Sequence, residues 1–173
     1  MRLFIALDLV GIDGCASRLK DGLKRHGVAS ATGTHLTLKF LGEVDEKTID
    51  VIVGKLTAVD FSSFSLTTSR IGFFPDEKRP RVVWLGIEAC PELMRLQQDI
   101  EEALVGLGFK KDFSFHPHIT LARIKFLDDR AGFLETIKSL PIEKKTVDVM
   151  SFALIESVLM PTGPVYDVVT EFF

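Results

Sequence analysis

One tetrad is written twice in this chain. His35-Leu36-Thr37-Leu38 returns as His118-Ile119-Thr120-Leu121, in a sequence of 173 residues with only four histidines. Histidine takes or gives a proton near neutral pH, so two copies suit an acid and a base acting on one group. In an extended chain alternate residues share a face. His35 and Thr37 therefore look one way, and Leu36 and Leu38 the other; His118, Ile119, Thr120 and Leu121 repeat the pattern. A threonine two residues on lies about 7 Å from its histidine, a reach that suits two groups around one phosphate. Its hydroxyl can donate to a non-bridging oxygen. The chemistry implied is attack at phosphorus or another acyl-like centre. Two histidines lack the third ligand that catalytic zinc takes, and no acidic or HExxH motif accompanies them, so no metal and no cofactor are expected.

The two copies also extend alike. Five residues after each histidine stand Phe40 and Arg123. Strict alternation points both away from the His/Thr face, so they serve the site only if each strand twists or bulges there. Arg123 would then give a phosphate a fixed charge and bidentate hydrogen bonds. Phe40 is expected in the core, stacking of a base being its other use. Lys39 shares parity with His35 and is expected at the cleft rim or on solvated surface. His116 precedes a proline and reads as a loop residue, and His26 as a helix-end residue without a catalytic role. Lys78, Arg79 and Arg81 form a basic hairpin tip that is either solvated or brushes a nucleic-acid backbone. Trp84 and Tyr166 are expected to be structural, with stacking on a base as the alternative.

Strands and helices must hold these residues. Apolar patterning predicts strands over 2–9, 34–42, 61–74, 81–88, 115–124, 146–159 and 164–173. It predicts helices over 13–26, 45–59, 91–107 and 128–139, the first capped by Asp13 and the second by Asp45. Each histidine strand is followed by a helix and a strand pair. That order implies an internal duplication and one bilobal domain over 1–173, with the tetrad strands at 34–41 and 117–124.

Charge and cysteine usage narrow the setting. A net charge of −3 argues against a broad electrostatic grip on long nucleic acid, yet permits one local phosphate pocket. Cys15 and Cys90 have no metal or CxxC spacing and read as reduced, buried thiols of a cytoplasmic protein. No apolar run is long enough to span a membrane.

Together "HLTLKFLGEV", "RPRVVWLGIE", "FHPHITLARI" and "PTGPVYDVVTEFF" resemble the 2H phosphoesterase superfamily, in its LigT/ThpR branch of RNA 2′,3′-cyclic phosphodiesterases, also called 2′-5′ RNA ligases. The resemblance covers nearly the whole chain. It implies an α+β, pseudo-two-fold duplicated fold, with two antiparallel sheets flanking a central cleft and helices packed outside. It implies metal-independent hydrolysis of RNA 2′,3′-cyclic phosphate ends to 2′-phosphates, with ATP-independent 2′-5′ ligation as a minor reaction. His35 would be the proton donor and His118 the proton acceptor. Thr37, Thr120 and Arg123 would bind the phosphate, with Phe40 and Lys39 as further substrate contacts. The partners implied are RNA ends or nucleotides carrying a cyclic phosphate, met by a monomer. Small cyclic phosphates, including ADP-ribose cyclic phosphate, and a non-catalytic RNA-end-binding module are the alternatives. The family often has Asn-Leu before its first motif where this chain has Gly33-Thr34, so the cleft entrance should differ.

Overall fold

A computed structural model describes residues 1–173. The strands are β1 (Arg2–Asp8), β2 (Ala29–Ser30), β3 (His35–Glu43), β4 (Phe64–Phe74), β5 (Val82–Ile87), β6 (His118–Arg123), β7 (Thr146–Val149), β8 (Phe152–Met160) and β9 (Gly163–Phe172). The helices are α1 (Asp13–Lys24), α2 (Glu46–Thr57), α3 (Pro91–Ala103) and α4 (Arg130–Ser139). No helix is long and apolar enough to cross a membrane.

The strands pair antiparallel in the order β7-β4-β5-β6-β3-β1-β8-β9, with β2 added to β6. Each half of this order contributes four strands, and the two tetrad strands meet at the centre. There they share a single register pair, Leu36 with Ile119. The two expected sheets are thus continuous through one narrow contact. Two sequence expectations change. The run 146–159 is two strands, not one. β7 pairs with β4 in one half, and β8 pairs with β1 in the other. The chain crosses between halves at Met150 and Ser151, inside an apolar run that carries no turn signal. The short β2 was also missed, because two residues carry no period.

The main core lies on one side of the sheet, with a smaller cluster of Phe4, Ala6, Ala153 and Ile155 apart from it. Leu36, Leu38, Ile119 and Leu121 are buried in the main core with Leu19 and Leu23 of α1, Ile52 of α2, Leu96 and Ile100 of α3 and Phe133 of α4. Helix starts follow elementary capping chemistry. The Asp45 carboxylate accepts from Thr48 N at 3.0 Å, and Asp129 accepts from Gly132 N at 2.9 Å. Pro91 occupies the first turn of α3, where its missing N–H costs nothing. Asp13 was expected to cap α1; it lies instead inside the first turn, and Ile12 at the cap makes no side-chain bond. A carboxylate there still complements the helix dipole. Cys15 is buried as expected, while Cys90 is only half-buried; both are free thiols.

Candidate active site

Both tetrad strands carry the same burial sequence. From His35 and from His118 it runs half-buried, buried, half-buried, buried, buried, exposed. Period-two alternation holds for four residues and then breaks. The register shows why. Ala6 pairs with Thr37 and Ile5 with Lys39, so Leu38 is an extra residue. Trp84 pairs with Thr120 and Val83 with Ala122, so Leu121 is the extra residue of the second copy. A bulge on the fourth tetrad residue reverses the facing of everything after it. Arg123 is thereby brought to the His/Thr face, as the site requires.

The same bulge corrects two expectations. Phe40 was expected in the core; it is 68 % exposed, with its ring 6.1 Å from Phe4. Lys39 was expected at the cleft rim or in solvent; it is buried on the helix side. There its ammonium donates to both Glu101 carboxylate oxygens, at 2.9 and 2.8 Å, and to the Lys110 carbonyl at 2.8 Å. Lys39 is therefore no substrate contact. A charge can stand in that core because its partner and its hydrogen bonds come with it.

Antiparallel pairing through Leu36 and Ile119 sets His35 beside Thr120, and Thr37 beside His118, on the face away from the helices. Each imidazole meets an aromatic ring edge-on. His35 lies 5.0 Å from Tyr166 and 5.2 Å from Phe4. His118 lies 4.9 Å from Phe74 and 6.2 Å from Trp84. Trp84 needs room: a Cβ on Gly72 would stand 2.2 Å from its indole.

The two histidines differ in hydrogen bonding and charge. His118 Nδ1 lies 2.7 Å from the His116 carbonyl. A carbonyl only accepts, so Nδ1 carries the hydrogen and Nε2 keeps its lone pair. Burial pushes the His118 pKa below its ordinary value. The His116 carbonyl opposes that shift, and the His116 and Arg123 charges add to it. His35 is pushed further, to about 4, by burial first and then by the charges of Lys20, Arg123 and His118. Burial also raises the Tyr166 phenol.

Sequence reasoning discounted His116 as a loop residue. It is outside any strand, but its carbonyl orients His118 and its ring covers Trp84 at 4.7 Å. Backbone roles leave no mark on side-chain patterns. Trp84 and Tyr166 hold up the two imidazoles. His26 is structural, with Nε2 at 2.7 Å from Thr136 Oγ1 and its ring against Phe133. The basic tip is a turn closed by Asp76, which accepts from Lys78 N and Arg79 N, while Arg81 donates to the Lys125 carbonyl.

The model of the 2′-5′ RNA ligase superfamily matches residues 13–158. The chain belongs to that superfamily, the 2H phosphoesterases of the LigT branch. A Thermotoga maritima protein named RNA 2′,3′-cyclic phosphodiesterase is 39 % identical over 99 % of this chain and 94 % of its own length. An Aeropyrum pernix protein of the same name is 34 % identical over 91 % and 94 %. Among solved structures, a Thermus thermophilus protein superposes with a TM-score of 0.81 at 28 % identity, covering 99 % of this chain and 97 % of that one. Escherichia coli LigT complexed with 3′-AMP superposes with a TM-score of 0.74 at 25 % identity, covering 99 % and 96 %.

Proposed function

We propose that the protein hydrolyses RNA 2′,3′-cyclic phosphate ends to 2′-phosphomonoesters, using His35 as acid and His118 as base in one bilobal domain. The observation that carries this reading is the 2.7 Å hydrogen bond between His118 Nδ1 and the His116 carbonyl. The carbonyl holds the Nδ1–H of His118, so Nε2 faces the reaction as a proton acceptor. The names of the Thermotoga and Aeropyrum relatives support the substrate class.

Water attacks phosphorus and gives its proton to His118 Nε2. The bond from phosphorus to the 3′ oxygen breaks, and His35 protonates that oxygen. The products are a 3′-hydroxyl and a 2′-phosphate, with His35 left neutral and His118 protonated. Thr37, Thr120 and Arg123 hold the non-bridging oxygens, where negative charge grows. A 5′-hydroxyl in place of water would yield a 2′-5′ bond; water exceeds RNA ends in concentration, so hydrolysis dominates.

In the free protein an acid of pKa about 4 is protonated in roughly one molecule in a thousand at pH 7. An anionic phosphate between His35 and Arg123 works against that obstacle. It offsets the positive charges that hold the proton off and favours the imidazolium. The test is a short RNA with a 2′,3′-cyclic phosphate, incubated with EDTA and without nucleotide. A 2′-phosphate product that disappears in His35→Ala and His118→Ala supports the mechanism; full turnover by either variant refutes it. The 3′-AMP complex of Escherichia coli LigT favours comparing mononucleotide cyclic phosphates alongside RNA, since equal kcat/KM would make the nucleotide end alone the substrate.

A further inference from the structure

The two-fold likeness of the cleft breaks in its placing of cations. β6 brings a cation, Arg123, to the cleft face, and the equivalent position of β3 is Phe40. A cation reaches the His35 side from another element. Lys20, half-buried on α1, donates from Nζ to the Gly33 carbonyl at 2.6 Å. No carboxylate lies within ion-pair distance of it. An ammonium has three donors, so two remain for a ligand. Gly33 has φ +69°, and a Cβ there would stand 3.3 Å from His35 Nδ1 and 3.8 Å from Tyr166 Cδ2. Lys20 thus holds the carbonyl of the residue whose absent side chain would crowd the imidazole, at the point where the sequence has Gly33-Thr34.

We propose that Lys20 is a positioning residue for His35: it clamps the 31–34 loop against the imidazole and supplies the first half of the cleft with the cation that Phe40 does not. The arrangement couples anion arrival to acid loading. Without a phosphate, the ammonium disfavours a proton on His35; with one, its charge is answered and the proton is accepted. The inference deepens the proposed acid role of His35 and rests on it.

The charged and titratable groups around His35 come from four elements. From α1 comes Lys20, itself facing Asp13. From β6 come Arg123 and His118. From β1 comes Asp8, the register partner of His35, which faces Asp13 and Glu171. From β9 comes Tyr166, which faces Arg123 and Arg2. Lys20 is the foremost charge acting on His35, ahead of Arg123.

The experiment follows the ring proton of His35 by NMR in the free protein, in Lys20→Met and in Lys20→Arg, with His26 as the control for folding. In Lys20→Met the His35 midpoint should move up by roughly half a pH unit to one unit. In Lys20→Arg it should stay near that of the unsubstituted protein. Added inorganic phosphate should raise the midpoint more in the unsubstituted protein than in Lys20→Met. A midpoint unmoved in Lys20→Met overturns the inference. So does a midpoint that rises as far in Lys20→Arg as in Lys20→Met, which would mean loosened packing rather than charge. The titration needs no turnover; a protein that fails to hydrolyse cyclic phosphates would refute the acid–base reading and still leave the effect of Lys20 on His35 measurable.

Discussion

Replacing Lys39 with methionine should cost the protein a large share of its stability. The Lys39 and Glu101 side chains are 3 % and 4 % exposed. Besides Lys39, the Glu101 carboxylate accepts from Gln97 Nε2 at 3.2 Å and from Asp112 N at 3.3 Å. Methionine fills much of the lysine stem but leaves Glu101 as a buried charge without its cation. Breaking one side of such a pair costs roughly 3–5 kcal/mol. With a urea dependence of about 2 kcal/mol per M, the unfolding midpoint should fall by roughly 1.5–2.5 M. Lys39→Met combined with Glu101→Leu removes both charges, and most of the loss should return, because paired apolar replacement of a buried ion pair is often neutral or better. Equilibrium urea unfolding at pH 7, followed by circular dichroism, measures all three proteins. A single variant within about 0.5 kcal/mol of the parent would refute the reasoning, since that is the range of ordinary surface changes. A double variant as unstable as the single one would show that packing and the polar partners left behind, not the orphaned charge, set the cost.

Three further outcomes are expected. The free-protein profile, kcat/KM against pH, should be bell-shaped and peak below about pH 6.5, because both histidines are held below their ordinary value; a peak above about pH 7.5 would contradict that. Stability should fall on acidification for the same reason. The folded His35 pKa is about 4 against 6.5 unfolded, so the unfolded chain binds the proton first, and stability present above pH 6.5 is lost between there and about pH 4. His35 alone contributes roughly 3 kcal/mol to that loss, and urea unfolding of His35→Gln should show a flatter acid slope; an identical slope would dismiss the cause. Gly72→Ala should destabilise by about 1–3 kcal/mol, since its Cβ would overlap the Trp84 indole; an unchanged thermal midpoint would mean that the indole moves at no cost.

The tetrads were legible because their chemistry is local. His35 and Thr37 share a face by strand period alone, and so do His118 and Thr120. The apolar partners Leu36, Leu38, Ile119 and Leu121 mark the buried side for the same reason. Capping by Asp45 is likewise a matter of three residues. What the pattern could not reach were events set by the neighbouring strand. The bulges at Leu38 and Leu121 exist only in register with β1 and β5. They decide that Lys39 enters the core while Phe40 and Arg123 face the cleft. Strand parity with His35 put Lys39 at the cleft rim or in solvent; its partner Glu101 comes from α3, 62 residues on.

The sequence by itself determined which groups could do acid–base chemistry at phosphorus, that they come in two copies, and that they ride on strands. Only the tertiary structure decided what state those groups hold. The lone pair of His118 depends on the backbone carbonyl of His116, and the low proton affinity of His35 depends on burial between Phe4 and Tyr166 and on a lysine from α1. A proton's free energy is set by the charges and dipoles that surround it in space. Chain order does not list those neighbours, because here they come from β1, β6, β9 and α1 at once.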